Sequence, residues 1–139
     1  MLSKRYRFYL AFENSLCQDY VTEKFFNKFG ENVYIVLIVL GGFDYKRYLP
    51  EGTYINAADF RSPKDLARHL LALGKNVRAY AAMLERKSQY TNSNCGRKEP
   101  WCKLCDMLHT KNLTSKVYQD LSRWWQEGTC VTAKELFHH

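Results

Sequence analysis

The chain has 139 residues, of which 46% are hydrophobic and 25% charged, and these proportions exclude a disordered or low-complexity protein. Its formal net charge of +7 is compatible with an anionic partner, which can be a nucleic acid, an acidic membrane surface or a phosphorylated small molecule, but the basic residues are scattered and most are expected to form an ordinary solvated surface. The longest apolar run, Val33 to Leu40, is far shorter than the roughly 20 residues of a transmembrane helix. We therefore expect neither a membrane span nor a secretory signal within these residues.

Strand and helix patterns alternate over the first ninety residues. Residues 7–12 predict a short, largely buried strand, and the helix that follows can be capped by Asp19 or Thr22. The uninterrupted apolar run 33–40 is typical of a strand that is covered on both faces of a parallel sheet. Residues 53–56 predict a further short strand. The alternation predicts an α/β fold with a parallel sheet and flanking helices.

The clearest helix signal follows the last of these strands. Ser62 is a predicted N-cap, Pro63 occupies the first helical position, and Asp65 completes a capping-box spacing. A second helix is predicted over residues 77–87. One apolar stripe on the first helix is predicted to face the core, and its members are Leu66, Ala67, Leu70, Leu71 and Leu73.

The C-terminal third has weaker signals. Residues 90–100 are polar and predict a loop. A last helix is predicted over residues 115–126, and its apolar positions are expected to face inward. Those positions are Val117, Leu121 and one of Trp124 and Trp125.

A candidate anion site lies where the first strand passes into the first helix. In open α/β sheets, ligands bind at the carboxyl ends of the strands. Lys24 supplies a mobile positive charge for a phosphate, and Glu23 beside it can accept hydrogen bonds from ribose hydroxyls. The alternative is that both are ordinary exposed residues of a first helical turn. The segment has neither of the usual glycine-rich nucleotide motifs.

The cysteines form a second constellation. Cys102-x-x-Cys105 followed by His109 resembles part of a zinc site, and disulfide bonding is the alternative. Cys95 and Cys130 lie in the same third of the chain. Cys17 stands apart and is expected to be a plain buried thiol. Asn112-Leu113-Thr114 is an N-glycosylation sequon.

Several spaced motifs together resemble the α-1,3-fucosyltransferase family. The first two are Phe8-Tyr9-Leu10-Ala11-Phe12-Glu13-Asn14-Ser15 and Asp19-Tyr20-Val21-Thr22-Glu23-Lys24. In the same order as in the family there follow Val39-Leu40-Gly41-Gly42, Tyr54-Ile55-Asn56-Ala57, Cys102-Lys103-Leu104-Cys105 and Trp124-Trp125. The similarity is collinear and covers nearly the whole chain.

The resemblance implies a fold. Members have two Rossmann-like lobes of the GT-B type, of which the C-terminal lobe binds GDP-fucose and the N-terminal lobe binds the acceptor and supplies the base. This chain then corresponds to a truncated C-terminal lobe: residues 1–90 form part of the donor-binding lobe, and residues 91–139 a C-terminal loop and helix with the Cys-x-x-Cys motif. The full-length form is expected in the Golgi lumen as a type II membrane protein.

The resemblance also implies a site. Lys24 is expected to bind the diphosphate and Glu23 the ribose, while Tyr9, Asn14 and Tyr20 line the donor site. Fucose is transferred with inversion from GDP-fucose to GlcNAc of an N-glycan or glycoprotein, without a required metal although manganese often stimulates. No residue of the chain is assigned as the catalytic base, and no nucleic acid partner is expected. The family's oxidising compartment favours disulfides, with Cys95, Cys102, Cys105 and Cys130 as candidates.

Two alternatives belong to other classes. One is a small basic zinc-binding module that contacts nucleic acid through Lys and Arg, for which stoichiometric zinc is the discriminating observation. The other is a folded but inactive fragment, which would be indifferent to GDP-fucose. The inactive fragment is an alternative because the family's acceptor lobe, stem and membrane anchor have no counterpart among these residues.

Overall fold

The computed structural model describes residues 5–29, 33–90, 99–110 and 116–136. Its centre is a three-stranded parallel sheet in the order β1 (Phe8–Phe12), β2 (Val36–Leu40) and β3 (Tyr54–Asn56). The α-helices of the described part are α1 (Glu23–Phe29), α2 (Tyr45–Tyr48), α3 (Pro63–Lys75), α4 (Val77–Ser88), α5 (Glu99–Thr110), α6 (Leu121–Gln126) and α7 (Ala133–Leu136). The predicted α/β fold with a parallel sheet is confirmed.

The central strand β2 explains the apolar run in the sequence, because both of its faces are covered. Leu37 and Val39 point to one side, where they pack with Phe25 and Phe29 of α1. Val36 and Ile38 point to the other side, where the helices α3 and α4 cover them. A strand that is buried on both faces needs an apolar residue at every position, and the result is a three-layer α/β/α arrangement.

Helix α3 begins as the sequence predicts, but its predicted apolar stripe is partly wrong. The Ser62 side-chain oxygen accepts a hydrogen bond from the Asp65 backbone N–H at 3.1 Å, and its hydroxyl donates to the Asp65 carboxylate at 2.6 Å. Leu73 is buried, whereas Leu71 is 66% exposed and Ala67 also faces solvent. The sheet covers only a narrow strip of this helix, so the wider stripe extends beyond the contact.

The C-terminal third differs most from the prediction. Helix α5 begins at Glu99, inside the predicted loop, while residues 91–98 of that loop lie outside the described residues. The last predicted helix is shorter than expected, because α6 begins only at Leu121 after Asp120 as its N-cap. Its predicted inward face is wrong, because all four apolar side chains at the predicted positions are exposed. They are Val117, Leu121, Trp124 and Trp125.

A buried lysine joins α4 to the opposite layer. Lys87 is only 4% exposed, and its ammonium donates hydrogen bonds to the carbonyl oxygens of Lys28 at 2.9 Å, Val33 at 2.7 Å and Ile35 at 2.9 Å. The first of these carbonyls belongs to the last turn of α1 and the others precede β2. One side chain therefore satisfies three carbonyl groups that regular secondary structure leaves without a partner.

Because Lys87 is buried, we expect the free energy of unfolding to rise with pH. Burial lowers the pKa of Lys87 from 10.5 to about 8, so between these values the unfolded chain binds more protons than the folded chain. The free energy of unfolding should then increase through this group, by at most about 1.4 kcal/mol per pH unit. Urea titrations from pH 7.5 to 10.5 test it, with Cys95, Cys102 and Cys105 replaced by serine to prevent thiol exchange with the disulfide.

Lys87→Met is the matched variant in that background. The difference in unfolding free energy between parent and variant should grow with pH across the window, because the variant has no group that titrates at this position. A difference that stays constant from pH 7.5 to 10.5 would contradict the prediction, whatever its absolute size.

Candidate functional site

The predicted site lies at the carboxyl ends of β1 and β2. After β1 the chain continues beside β2 for one more residue, since the Glu13 N–H donates to the Leu40 carbonyl at 2.9 Å. Residues 13–22 then form a loop, here named the β1–α1 loop, which leads into α1. This position agrees with the general location of ligand sites in open α/β sheets.

A carboxylate closes the β1–α1 loop at its base. Glu13 is 9% exposed, and its two carboxylate oxygens accept hydrogen bonds from the Thr22 backbone N–H at 2.9 Å and the Thr22 hydroxyl at 2.7 Å. The same threonine caps α1, because its side-chain oxygen accepts from the Lys24 N–H at 3.4 Å and its carbonyl accepts from Phe25. Thr22, rather than Asp19, is thus the capping residue of the two proposed.

The loop brings Asn14 and Lys24 together. The Lys24 ammonium donates a hydrogen bond to the side-chain oxygen of Asn14, which lies ten residues earlier. Glu23 is exposed beside them, and Tyr20 is half-buried at the end of the loop. Four of the five predicted donor-site residues therefore lie in one short segment, with a lysine and a carboxylate available to a ligand.

Asp19 gives the β1–α1 loop its turn. Its φ of 58° is in the left-handed region, which aspartate tolerates better than most residues. The turn lets the Tyr20 N–H donate to the Cys17 carbonyl at 3.2 Å. The predicted capping role for Asp19 is replaced by this role in the backbone.

Tyr9, the fifth predicted donor-site residue, lies apart from the others. It belongs to the first half of β1 and packs against the cluster under α1. The Lys28 ammonium, in the last turn of α1, lies 5.9 Å from the centre of its ring. Since Lys24 is at the other end of this helix, the structure does not bring Tyr9 together with Asn14 and Lys24.

Two glycines let the neighbouring loops touch. A Cβ atom on Gly42 would lie 2.6 Å from the backbone carbonyl of Cys17 and 2.8 Å from that of Leu16. A Cβ atom on Gly41 would lie 2.7 Å from the Tyr45 hydroxyl. The absence of side chains after β2 therefore allows the backbone of the β1–α1 loop to rest directly on this turn.

A disulfide joins this loop to the C-terminal segment. Cys17 is bonded to Cys130, and the two residues also form an antiparallel bridge. Backbone hydrogen bonds flank it, from Gln18 N–H to the Thr129 carbonyl at 2.7 Å and from Val131 N–H to the Leu16 carbonyl at 2.9 Å. We name residues 129–131, with this bond, the C-terminal clip.

The clip corrects the interpretation of the cysteines. Cys17 is buried as expected, but it is not a thiol, because it is the partner of Cys130. Cys102 and Cys105 are free and exposed on α5, and Cys95 lies outside the described residues. Nothing in the sequence pattern indicates a pairing across 113 positions, since spacing alone does not determine disulfide connectivity.

The clip also brings an aromatic residue to the site. The ring centres of Tyr20 and Trp125 are 6.1 Å apart in an edge-to-face arrangement, which is favourable for aromatic pairs. One of Trp124 and Trp125 was expected on an inward helix face, and in the structure the Trp125 ring contacts Tyr20 and Trp124. The sequence gives no signal for this contact.

Tyr45 is a buried residue whose position the sequence did not predict. It is 2% exposed, and its hydroxyl has no hydrogen-bond partner within the described part of the chain. Burial, and the nearby Glu13 carboxylate, raise the pKa of this phenol well above its usual value. Its ring belongs to the cluster under α1, and its hydroxyl lies 2.7 Å from where a Cβ atom of Gly41 would be.

The described residues contain neither a metal-binding cluster nor a membrane-spanning helix. Among residues 5–29, 33–90, 99–110 and 116–136, no group of three histidine, cysteine, aspartate or glutamate residues could hold a metal ion. No helix of those ranges is long and apolar enough to cross a bilayer. The predicted glycosylation residue, Asn112, lies outside them.

Comparisons with known proteins identify the family of this α/β domain. Residues 1–124 match the family described as glycosyltransferase family 10 (fucosyltransferase), C-terminal part. A Drosophila melanogaster relative, alpha-(1,3)-fucosyltransferase C, is 39% identical over 127 residues, which cover 90% of this chain and 29% of that protein. A second, glycoprotein 3-alpha-L-fucosyltransferase A of the same organism, is 36% identical over 95% of this chain and 26% of its own length.

A human relative is also similar over most of this chain and over a smaller share of its own length. Alpha-(1,3)-fucosyltransferase 4 is 35% identical over 88% of this chain and 23% of its own length. No solved structure matches the chain. The chain belongs to glycosyltransferase family 10, the fucosyltransferases, and it spans between about a quarter and a third of the length of the two fly relatives. The zinc-binding alternative is not favoured by these matches.

Proposed function

We propose that this chain is the GDP-fucose-binding part of an α-1,3-fucosyltransferase that modifies GlcNAc of N-glycans or glycoproteins. The observation that carries the proposal is the contact between Lys24 and Asn14, beside the exposed Glu23 and the half-buried Tyr20. A cation at the carboxyl end of the strands suits a diphosphate, and an exposed carboxylate suits ribose hydroxyls. Membership of the fucosyltransferase family supports fucosyl transfer, and it is consistent with GDP-fucose as the donor.

The proposed reaction inverts the anomeric carbon of fucose. The acceptor hydroxyl oxygen forms a bond to that carbon while the bond from the carbon to the β-phosphate oxygen breaks, and GDP leaves with the electron pair. A base takes the proton of the acceptor hydroxyl. We assign no base to this chain and place it, with the acceptor, in a part of the enzyme outside these 139 residues.

Lys24 contributes most where charge develops. Negative charge accumulates on the diphosphate as the sugar departs, and a fixed cation at that point stabilises the transition state. The contact with Asn14 holds the ammonium at the site before the ligand arrives, which reduces the reorganisation that binding requires. The proposed reaction requires no metal in the site, and manganese acts only as a stimulant.

The proposal places the full-length protein in the Golgi lumen as a type II membrane protein. The disulfide between Cys17 and Cys130 supports an oxidising compartment, where such bonds persist. Expression with an intact secretory pathway and detection of the protein in Golgi fractions would test this location.

Titration of GDP into the 139-residue chain, followed by two-dimensional NMR, tests the donor site. We expect saturable shifts of the amide signals of residues 20–24. Lys24→Ala should weaken GDP binding roughly tenfold to a hundredfold, because a hydrogen bond to a charged group contributes about 1.5–3 kcal/mol. Lys75→Ala is the matched control, since it removes the same charge from an exposed position at the far end of α3.

The possible outcomes are distinct. Equal weakening by both lysine variants would mean that only the net positive charge attracts GDP. A dispersed spectrum that GDP does not change would support the alternative of a folded but inactive fragment. Isothermal titration of GDP against the same proteins gives the dissociation constants independently of the NMR assignments.

A further inference from the structure

We propose that Glu13 is a positioning residue of the donor site, which acts through Thr22 to hold Lys24 opposite Asn14. This inference rests on the proposed GDP-fucose site and deepens it. Glu13 does not contact the ligand in this proposal. Its function is to fix the distance across the β1–α1 loop between the residues that do.

The hydrogen bonds of Glu13 are directed at a single residue. Both carboxylate oxygens accept from Thr22, one from its N–H at 2.9 Å and one from its hydroxyl at 2.7 Å. Two hydrogen bonds to one residue restrain its rotation as well as its distance, as in bidentate ion pairs. The nine-residue separation between the two residues is thereby closed into a ring.

The two ends of this ring carry the donor-site residues. Asn14 follows Glu13 directly, and Glu23 and Lys24 follow Thr22 directly. Fixing Glu13 against Thr22 therefore fixes Asn14 against Lys24, and the observed contact between these two is the result. Without the carboxylate, the two ends of the loop would be held together mainly by the hydrogen bond between the exposed Lys24 ammonium and Asn14. Such an exposed contact is weak on its own.

The surroundings of Glu13 separate positioning from catalysis. The side chain is buried, and its Cγ lies 3.2 Å from where a Cβ of Gly41 would be. The Tyr45 ring lies on the same side and its hydroxyl forms no hydrogen bond with any described residue, the carboxylate included. A carboxylate that is covered in this way and has both oxygens occupied cannot approach an acceptor hydroxyl, so its effect must pass through Thr22.

Four variants of the full 139-residue chain test the proposal. Glu13→Gln keeps the shape of the side chain but weakens its hydrogen bonds to Thr22. Thr22→Val removes the hydroxyl, and with it both the bond to Glu13 and the cap on the Lys24 N–H, and it serves as the second variant if Glu13→Gln does not fold. Thr22→Ser keeps both hydrogen bonds and should behave as the parent. Tyr45→Phe removes a neighbouring hydroxyl that has no partner, and it should bind GDP as the parent does. Each is measured for GDP affinity, thermal midpoint and the amide shifts of residues 22–24 without ligand.

The expected result is a loss of about tenfold in GDP affinity for Glu13→Gln and Thr22→Val, at a temperature well below their midpoints. The ligand-free amide signals of residues 22–24 should move in both variants and stay in place in Thr22→Ser. A lower midpoint with unchanged GDP affinity would overturn the proposal, because Glu13 would then be structural only. Unmoved amide signals would overturn it as well.

Failure of the proposed function gives a different pattern. If the parent chain does not bind GDP, the donor site itself is wrong and Glu13 has nothing to position, even where the ligand-free amide signals respond. If the parent binds and Glu13→Gln binds equally well, the donor site stands and only the role of Glu13 is overturned.

Discussion

Cys130→Ser should destabilise the chain by about 4–5 kcal/mol, the largest effect expected of any single substitution considered. The disulfide to Cys17 closes a loop of 113 residues, and the loss of chain entropy in the unfolded state grows with loop length. A domain of this size has a total stability of about 5–15 kcal/mol, so the variant should approach the limit of folding. Urea unfolding monitored by tryptophan fluorescence, without reductant, measures the difference.

Cys102→Ser is the control for this prediction. It removes a cysteine that is exposed and has no disulfide partner in the described structure, so its unfolding midpoint should match that of the parent. Reduction of the parent with dithiothreitol should reproduce the effect of Cys130→Ser. A Cys130→Ser chain with the midpoint of the parent would contradict the prediction and indicate that the two cysteines are not bonded in solution.

Gly42→Ala should have the second largest effect and lower the free energy of unfolding by about 3 kcal/mol or more. This value is at the upper end of the usual range for inserting a methyl group into packed structure. The added carbon would lie 2.6 Å from the Cys17 carbonyl group, and backbone atoms cannot rotate away as a side chain can. The β1–α1 loop would have to move, so GDP affinity should fall together with stability. Thermal unfolding and GDP titration of the same sample measure both.

Gly74→Ala is the matched substitution with the opposite expected sign. Gly74 lies inside α3, and a Cβ there would make an ordinary contact of 3.6 Å with Phe8. Alanine is favoured over glycine inside a helix by about 1 kcal/mol, so this variant should be more stable than the parent. If both glycine variants were destabilised equally, the close approach of Gly42 to the loop would not be the cause.

The sequence predicted the fold where the local signal and the tertiary packing agree. The apolar run before Gly41 has one explanation, a strand that is covered on both faces, and β2 is that strand. The cap at Ser62 depends on residues three apart, and it too was predictable. Both signals lie within a few residues, so no knowledge of distant contacts was needed.

The candidate site was predictable only in part. Asn14 and Lys24 were identified through a family motif, and the loop between them brings them together. The clip and the position of Trp125 depend on contacts more than a hundred residues apart, for which periodicity carries no information. The burial of Lys87 was also hidden, because a lysine at the end of a helix normally extends into solvent.

The clip has a consequence for the order in which the molecule is completed. Cys17 leaves the ribosome 113 residues ahead of Cys130, an interval of roughly 6–23 s at the usual rates of synthesis. During that interval Cys17 cannot form its bond to Cys130, so oxidation of the correct pair has to wait until nearly the whole described chain has been made. The loop that carries the candidate donor residues is therefore synthesised early and is among the last segments to acquire its final covalent form.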